Sequence, residues 1–136
     1  MQAFTKHALV SDFDYASQAL VFIPSDIGDI RSESERIGIN AFIADMIKIV
    51  GGRTLGLFTS FASIKESYLQ INTDLKKAGV TLMTQGLSGG RARMVEHFKK
   101  NAETSALFGT DSFGEGVDMP GRELELLIIY TFPFAV

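Results

Sequence analysis

Cysteine is absent from the 136 residues, which excludes disulfides, thiolate metal sites and a cysteine nucleophile. Histidine is scarce, at two residues, His7 and His97. His97 falls on an expected helix beside Phe98 and Lys99, with no second histidine at ligand spacing, and reads as a solvated helix residue. No Ser-His-Asp arrangement can be assembled from this set. An excess of positive charge is also missing: thirteen Lys and Arg against sixteen Asp and Glu leave a net charge of -3. That argues against a stand-alone, charge-driven nucleic-acid binder, which needs clustered Lys and Arg, but leaves room for a local basic patch. No apolar run approaches the length of a membrane span. Met1 to Val10 has neither a long apolar segment nor a cleavage-site pattern, so the cytosol is the expected compartment and no membrane partner is expected.

Phosphate-binding glycine motifs are lacking too. Gly51 and Gly56 have the G-x-x-x-x-G spacing, but Leu57 and Phe58 stand where Lys and Ser or Thr are required. Gly56 also sits inside an apolar strand, so the spacing is coincidental. No G-x-G-x-x-G occurs. A complete P-loop nucleoside triphosphatase is thereby excluded.

What is present describes one ordinary globular domain. Apolar residues make up 46% and charged residues 21%. A chain of this length buries roughly two thirds of its unfolded surface. Gln18 to Ile23 reads as a short buried strand ended by Pro24. Ser32 and Glu35 form the S-x-x-E capping pattern, and Ile39, Phe42, Ile43, Met46, Ile47 and Val50 then keep helical spacing up to Gly51. Thr54 to Thr59 is a strand. A helix follows, with Ile64, Tyr68, Ile71 and Leu75 on one stripe and Gly79 as its stop. Val80 to Thr84 is a strand, Gln85 to Gly90 a loop, and Arg91 to Lys100 a helix that turns Met94, Val95 and Phe98 inward. Ser105 to Gly109 and Leu124 to Tyr130 are the last strands. Apolar strands alternating with helices imply an α/β fold, with a mainly parallel sheet of about five strands covered on both faces. The sequence closes on Thr131-Phe132-Pro133-Phe134-Ala135-Val136 without a polar tail, which reads as a chain cut in mid-domain.

The most informative stretch runs from Leu107 to Gly121. An apolar strand empties into a segment holding glycines, Thr110, Ser112, Asp111, Glu115, Asp118 and Pro120, after which the chain turns apolar again. Loops delivered to the carboxyl ends of parallel strands are where open α/β sheets bind ligands. Asp111, Glu115 and Asp118 lack the alternation of a cation loop and are expected to take hydrogen bonds from hydroxyls, arginines or backbone N–H groups rather than a metal. Thr59-Ser60-Phe61 closes a strand and opens a helix. Its hydroxyls fit a helix N-cap and fit a phosphate contact equally well. Arg91 shares the inward side of its helix with Met94 and Phe98, so its guanidinium needs a partner, either a carboxylate or a phosphate.

These residues, in this order, resemble a known family. Leu57-Phe-Thr-Ser-Phe61, Gln85-Gly86, Arg91 with Phe98 seven later, and above all Gly109-Thr-Asp-Ser-Phe-Gly-Glu-Gly-Val-Asp-Met-Pro-Gly121 are similar to the second RecA-like domain of DinG-type helicases. These are superfamily-two DNA helicases related to the XPD group. Asp12-Phe13-Asp14-Tyr15, Ile128-Ile129 and Phe132-Pro133-Phe134 extend the likeness over nearly the whole chain, so that residues 1–136 read as a partial C-terminal RecA-like domain of three layers. The resemblance implies a split site, in which a first RecA-like domain of the same protein carries the P-loop and binds ATP with Mg²⁺, while this domain closes over the nucleotide and grips single-stranded DNA. It implies that Thr59 and Ser60 match motif IV, that Thr110 and Asp111 touch the DNA backbone, and that Glu115, Gly116 and Asp118 face the nucleotide cleft. Arg91 matches an arginine that braces motif V or the DNA backbone. An iron–sulfur cluster, where relatives have one, belongs to the first domain. Two departures stand out: Gly114 occupies a position that is usually tryptophan, and motif VI with its arginine fingers is expected beyond Val136, so the 136 residues alone are expected to be inactive. Two other classes stay open, a non-catalytic interaction domain and a small Rossmann-like enzyme that seats a nucleotide on the glycine loop.

Overall fold

The computed structural model describes residues 10–131. His7 and the Phe132-Pro133-Phe134 part of the family likeness lie outside the described residues. A single turn of helix, α1 (Tyr15–Gln18), precedes α2 (Glu33–Val50). Gly51 ends α2 with φ 74°, the left-handed conformation in which a Cβ would be penalised. There follow β1 (Thr54–Phe58), α3 (Phe61–Lys77), β2 (Thr81–Thr84), α4 (Arg91–Lys100), β3 (Ser105–Thr110), the short α5 (Asp111–Gly114) and β4 (Leu126–Ile129).

The described strands form one sheet in the order β2-β3-β1-β4, with every neighbouring pair parallel. From β1 the chain crosses past β3 to reach β2; from β2 it comes back to β3. Parallel crossovers are right-handed, so connections running in opposite directions place their helices on opposite faces. One face is accordingly packed by α2 and α3, through Ile43, Ile47, Ile64, Ile71 and Leu75 on Phe58, Leu82, Ala106 and Phe108. The other is packed by α4 and α5, through Met94, Phe98 and Phe113 on Leu55, Met83 and Leu107. Phe58 anchors the first layer: it is fully buried, stacks on Tyr130 at 4.7 Å and meets Phe108 at 4.9 Å. Burying each such ring contributes about 1.5–3 kcal/mol. Gly56 leaves the space they use, since a Cβ there would lie 2.6 Å from the Phe108 ring.

The α/β class, the parallel sheet and the helices on both faces agree with expectation. The strand count differs, with four strands among the described residues instead of about five. Gln18 to Ile23 is not a strand: Gln18 closes α1, and Leu20, Val21 and Ile23 are 94%, 81% and 80% exposed. An apolar run becomes a strand only where an edge accepts its backbone, and this segment pairs with none among the described residues; Phe22 instead tilts against Phe42 at 5.8 Å. The expected capping box on α2 is also replaced. Ser32 turns to Ser34 at 2.8 Å, and Glu35 reaches back to accept from the Gly28 N–H at 3.1 Å. The inward stripe of α2 is rotated as well, because Phe42 is 42% exposed while Asn40 is buried. Asn40 is held by polar partners on α3, accepting from Ser67 Oγ at 2.8 Å and donating to Gln70 Oε1 at 2.7 Å.

Candidate functional site

The connection leaving β1 runs toward β2 over one face, and the one leaving β3 runs toward β4 over the other. Neighbouring strands whose connections part in this way leave a crevice at their carboxyl ends, the place where such sheets bind ligands. Here that crevice lies between Thr59-Ser60, which follow β1, and Thr110-Asp111, which end β3 and begin α5. The strand register sets Phe58 beside Thr110, so these two segments are direct neighbours.

A row of polar side chains crosses this end of the sheet. Gln85, just after β2, accepts two hydrogen bonds through one oxygen: from the Thr110 N–H at 2.8 Å and from Thr110 Oγ1 at 3.1 Å. Its own N–H donates to the Phe108 carbonyl at 2.9 Å, which fixes it to β3. Thr110 Oγ1, having donated to Gln85, accepts from Ser112 Oγ at 3.0 Å. On the other side of β1, the hydroxyls of Thr59 and Thr131 share a hydrogen bond of 2.8 Å. Two hydroxyls carry two protons and this bond uses one, so the pair keeps a free donor for an outside acceptor. Ser60 is the N-cap of α3: its Oγ accepts from the Ser63 N–H at 3.2 Å. The spare proton of the Thr59–Thr131 pair thus lies beside the first turn of a 17-residue helix, where the aligned backbone N–H groups favour an anion, whereas the hydroxyl protons of Thr110 and Ser112 are both engaged within the row. A phosphate oxygen is the acceptor that suits that spare proton.

The turn after Thr110 is held from α4. Arg91 donates through Nη2 to the Phe113 carbonyl at 3.1 Å and to the Glu115 carbonyl, and its guanidinium stands 5.4 Å from the centre of the Phe113 ring. Its partners are therefore main-chain carbonyls rather than a carboxylate. Phe113 is 1% exposed, a core residue in the middle of the polar segment, and Gly109 makes room for it: a Cβ there would be 2.6 Å from Phe113 Cγ. Glu115, Gly116 and Asp118 are exposed and line an open hollow of about 710 Å³ beside Arg91, Val95 and Lys99. They stand apart from the hydroxyl row, on the α4 side of the turn. Asp111 is half-buried at the start of α5. Among the described residues no three of His, Asp and Glu come together to hold a metal ion.

The structure brings Thr59, Ser60, Thr110 and Asp111 to one crevice and connects Arg91 to the segment carrying Glu115 and Gly116. Sequence reasoning missed Thr131 and Phe113 and gave Gln85 no role of its own. Gln85 and Thr131 share a legible signal, a polar residue directly after an apolar strand run. Phe113 had none, being one aromatic inside a polar, glycine-rich stretch.

The family model described as a helicase C-terminal domain matches residues 43–136. The chain is 31% identical over 127 residues to the 3'-5' exonuclease DinG of Bacillus subtilis, covering 91% of this chain and 14% of that protein. It is 31% identical over 128 residues to an ATP-dependent helicase DinG of Mycobacterium tuberculosis, covering 91% and 18%. An ATP-dependent DNA helicase DinG of Photobacterium profundum is 32% identical over 133 residues, covering 95% and 19%. The chain therefore spans less than a fifth of the length of each of these relatives. No helix among the described residues is long and apolar enough to cross a membrane.

Proposed function

Since this chain belongs to the helicase C-terminal domain family, in its DinG-type branch, we propose that it supplies the second RecA-like half of an ATP-dependent DNA helicase. The observation that carries the reading is the hydroxyl row at the switch point of the sheet. Thr59 and Thr110 face outward from adjacent strand ends, and each belongs to a hydrogen-bonded pair anchored on a further strand end, Thr131 and Gln85. A single strand running across the carboxyl ends of the strands would place one phosphate on the spare proton of the Thr59–Thr131 pair and another at Thr110, whose hydroxyl would turn to it from Gln85 while the Thr110 N–H stays on Gln85. Ser60, already the cap of α3, and Asp111, at the start of α5, would complete the DNA-facing set.

Glu115, Gly116 and Asp118 would face the nucleotide, which the first RecA-like domain holds. ATP is then a shared substrate. Its Mg²⁺ and triphosphate fall to that first domain, because this sequence has no phosphate-binding glycine loop and no described cluster fit for a metal. An iron–sulfur cluster finds no ligand here, cysteine being absent, and any such cluster belongs to the other domain. Closure around ATP would press the 115–118 segment inward. Because Arg91 holds that segment to α4 and Gln85 holds Thr110 to β2, the movement would be passed rigidly to the hydroxyl row, and hydrolysis would release it.

The test is ATP hydrolysis with and without single-stranded DNA, by the 136-residue chain alone and combined with a P-loop-bearing first domain. No turnover is expected from the chain alone, and DNA-stimulated turnover from the combination once the motif VI segment expected beyond Val136 is supplied with it. DNA-stimulated ATPase activity of the chain by itself would refute the reading.

A further inference from the structure

We propose that the exposed ring of Phe61 is a stacking platform for one nucleobase of the bound single strand, an inference that rests on the DNA-binding role above and deepens it. Phe61 is the first residue of α3 and is 55% exposed, although Ile64, one turn on, is 1% exposed and in the core. Its ring forms one wall of a hollow of about 290 Å³, closed by Ile64, Lys65, Gln85, Gly86 and Leu87. Leu87 is 53% exposed. An apolar surface of this kind beside a polar row gains nothing from water and matches the face of a base.

Two further observations select a nucleic-acid strand over other apolar occupants. Gln85 lines this hollow and also holds Thr110, so the hollow is continuous with the hydroxyl row. A strand whose phosphates met Thr59 and Thr110 would bring an adjacent base over Phe61. Lys65 stands on the same rim, exposed and without an ion-pair partner among the described residues, and gives it positive charge in a chain that is negative overall. The hollow also depends on Gly86. With φ 89°, any other residue there would be strained, and the Phe61 ring lies at ordinary contact distance, 3.4 Å, from where a Cβ would sit.

The experiment compares the affinity of the 136-residue chain for an oligothymidylate and for an abasic strand of equal length, by fluorescence anisotropy. The wild type is expected to prefer the strand with bases by about ten-fold, the scale of one stacked base. Phe61→Ala should abolish that preference while leaving binding of the abasic strand unchanged, and Phe61→Trp should restore it. A preference that survives in Phe61→Ala overturns the platform and leaves the DNA-binding role standing. Failure of the wild type to bind either strand overturns both. Should Phe61→Ala not fold, photocrosslinking of the wild type to an iodouracil-bearing strand decides the matter: a crosslink at Phe61 supports the platform, and crosslinks only elsewhere overturn it.

Discussion

Removing the Gln85 side chain should loosen Thr110 in a way that can be worked out from two distances. One oxygen of Gln85 takes the Thr110 N–H at 2.8 Å and its hydroxyl at 3.1 Å, both in a part-buried setting. A neutral hydrogen bond contributes about 0.5–1.5 kcal/mol net, and a donor stripped of its partner costs more the deeper it lies. Water reaches this end of the sheet, so Gln85→Ala should cost about 1–2 kcal/mol. For a chain of this size that lowers the melting temperature by roughly 3–8 °C. Gln85→Glu keeps the accepting oxygen and should recover most of the loss, yet it places a negative charge beside the proposed phosphate site and should weaken single-strand binding. Stability and DNA affinity therefore separate in the second variant and fall together in the first. The assays are thermal unfolding by circular dichroism and amide hydrogen exchange at Thr110, which should quicken in Gln85→Ala. An alanine variant that melts within 1 °C of wild type, with Thr110 exchange unchanged, would refute the reasoning.

Three further outcomes follow from the same geometry. Gly109→Ala would set a Cβ 2.6 Å from Phe113 Cγ and 2.7 Å from its Cβ, atoms that cannot swing aside, and should destabilise by about 2–3 kcal/mol in a denaturant titration. Arg91→Lys keeps the charge but not the Nη2 that donates to both the Phe113 and Glu115 carbonyls, nor the planar group beside the Phe113 ring; hydrogen exchange across residues 111–118 should rise while α3 stays protected. Burial, reinforced by the Glu66 carboxylate, pushes the Tyr130 phenol above its ordinary value of 10.0. The fold thus favours the neutral phenol, and the unfolded chain ionises first. The resulting stability is present below about pH 10 and is lost as pH rises through the folded value. Wild type should consequently lose more stability than Tyr130→Phe between about pH 9 and 11, measured by melting temperature against pH.

Much of the molecule was legible because its signals are local. The span of α4 was read to the residue, since Gly90, the inward spacing of Met94 and Phe98, and the basic last turn all lie within a few positions. The segment from Gly109 to Gly121 was recognisable from its composition alone. The N-terminal run Gln18 to Ile23 misled because hydrophobicity reports what a residue favours, not whether a strand edge is there to receive it. Ser32 misled for a related reason: the capping pattern names suitable partners, but Glu35 found the Gly28 N–H instead.

By itself the sequence determined the alternation of strand and helix, the parallel α/β class and the polar segment that carries the site, because periodicity and turn chemistry act between near neighbours. Only the tertiary structure decided which polar groups meet. Thr59 and Thr131 lie 72 residues apart and Gln85 and Thr110 lie 25 apart, yet each pair is closed by a hydrogen bond. The order β2-β3-β1-β4 places those strand ends side by side, and a hydrogen bond depends on distance in space, which no spacing along the chain encodes.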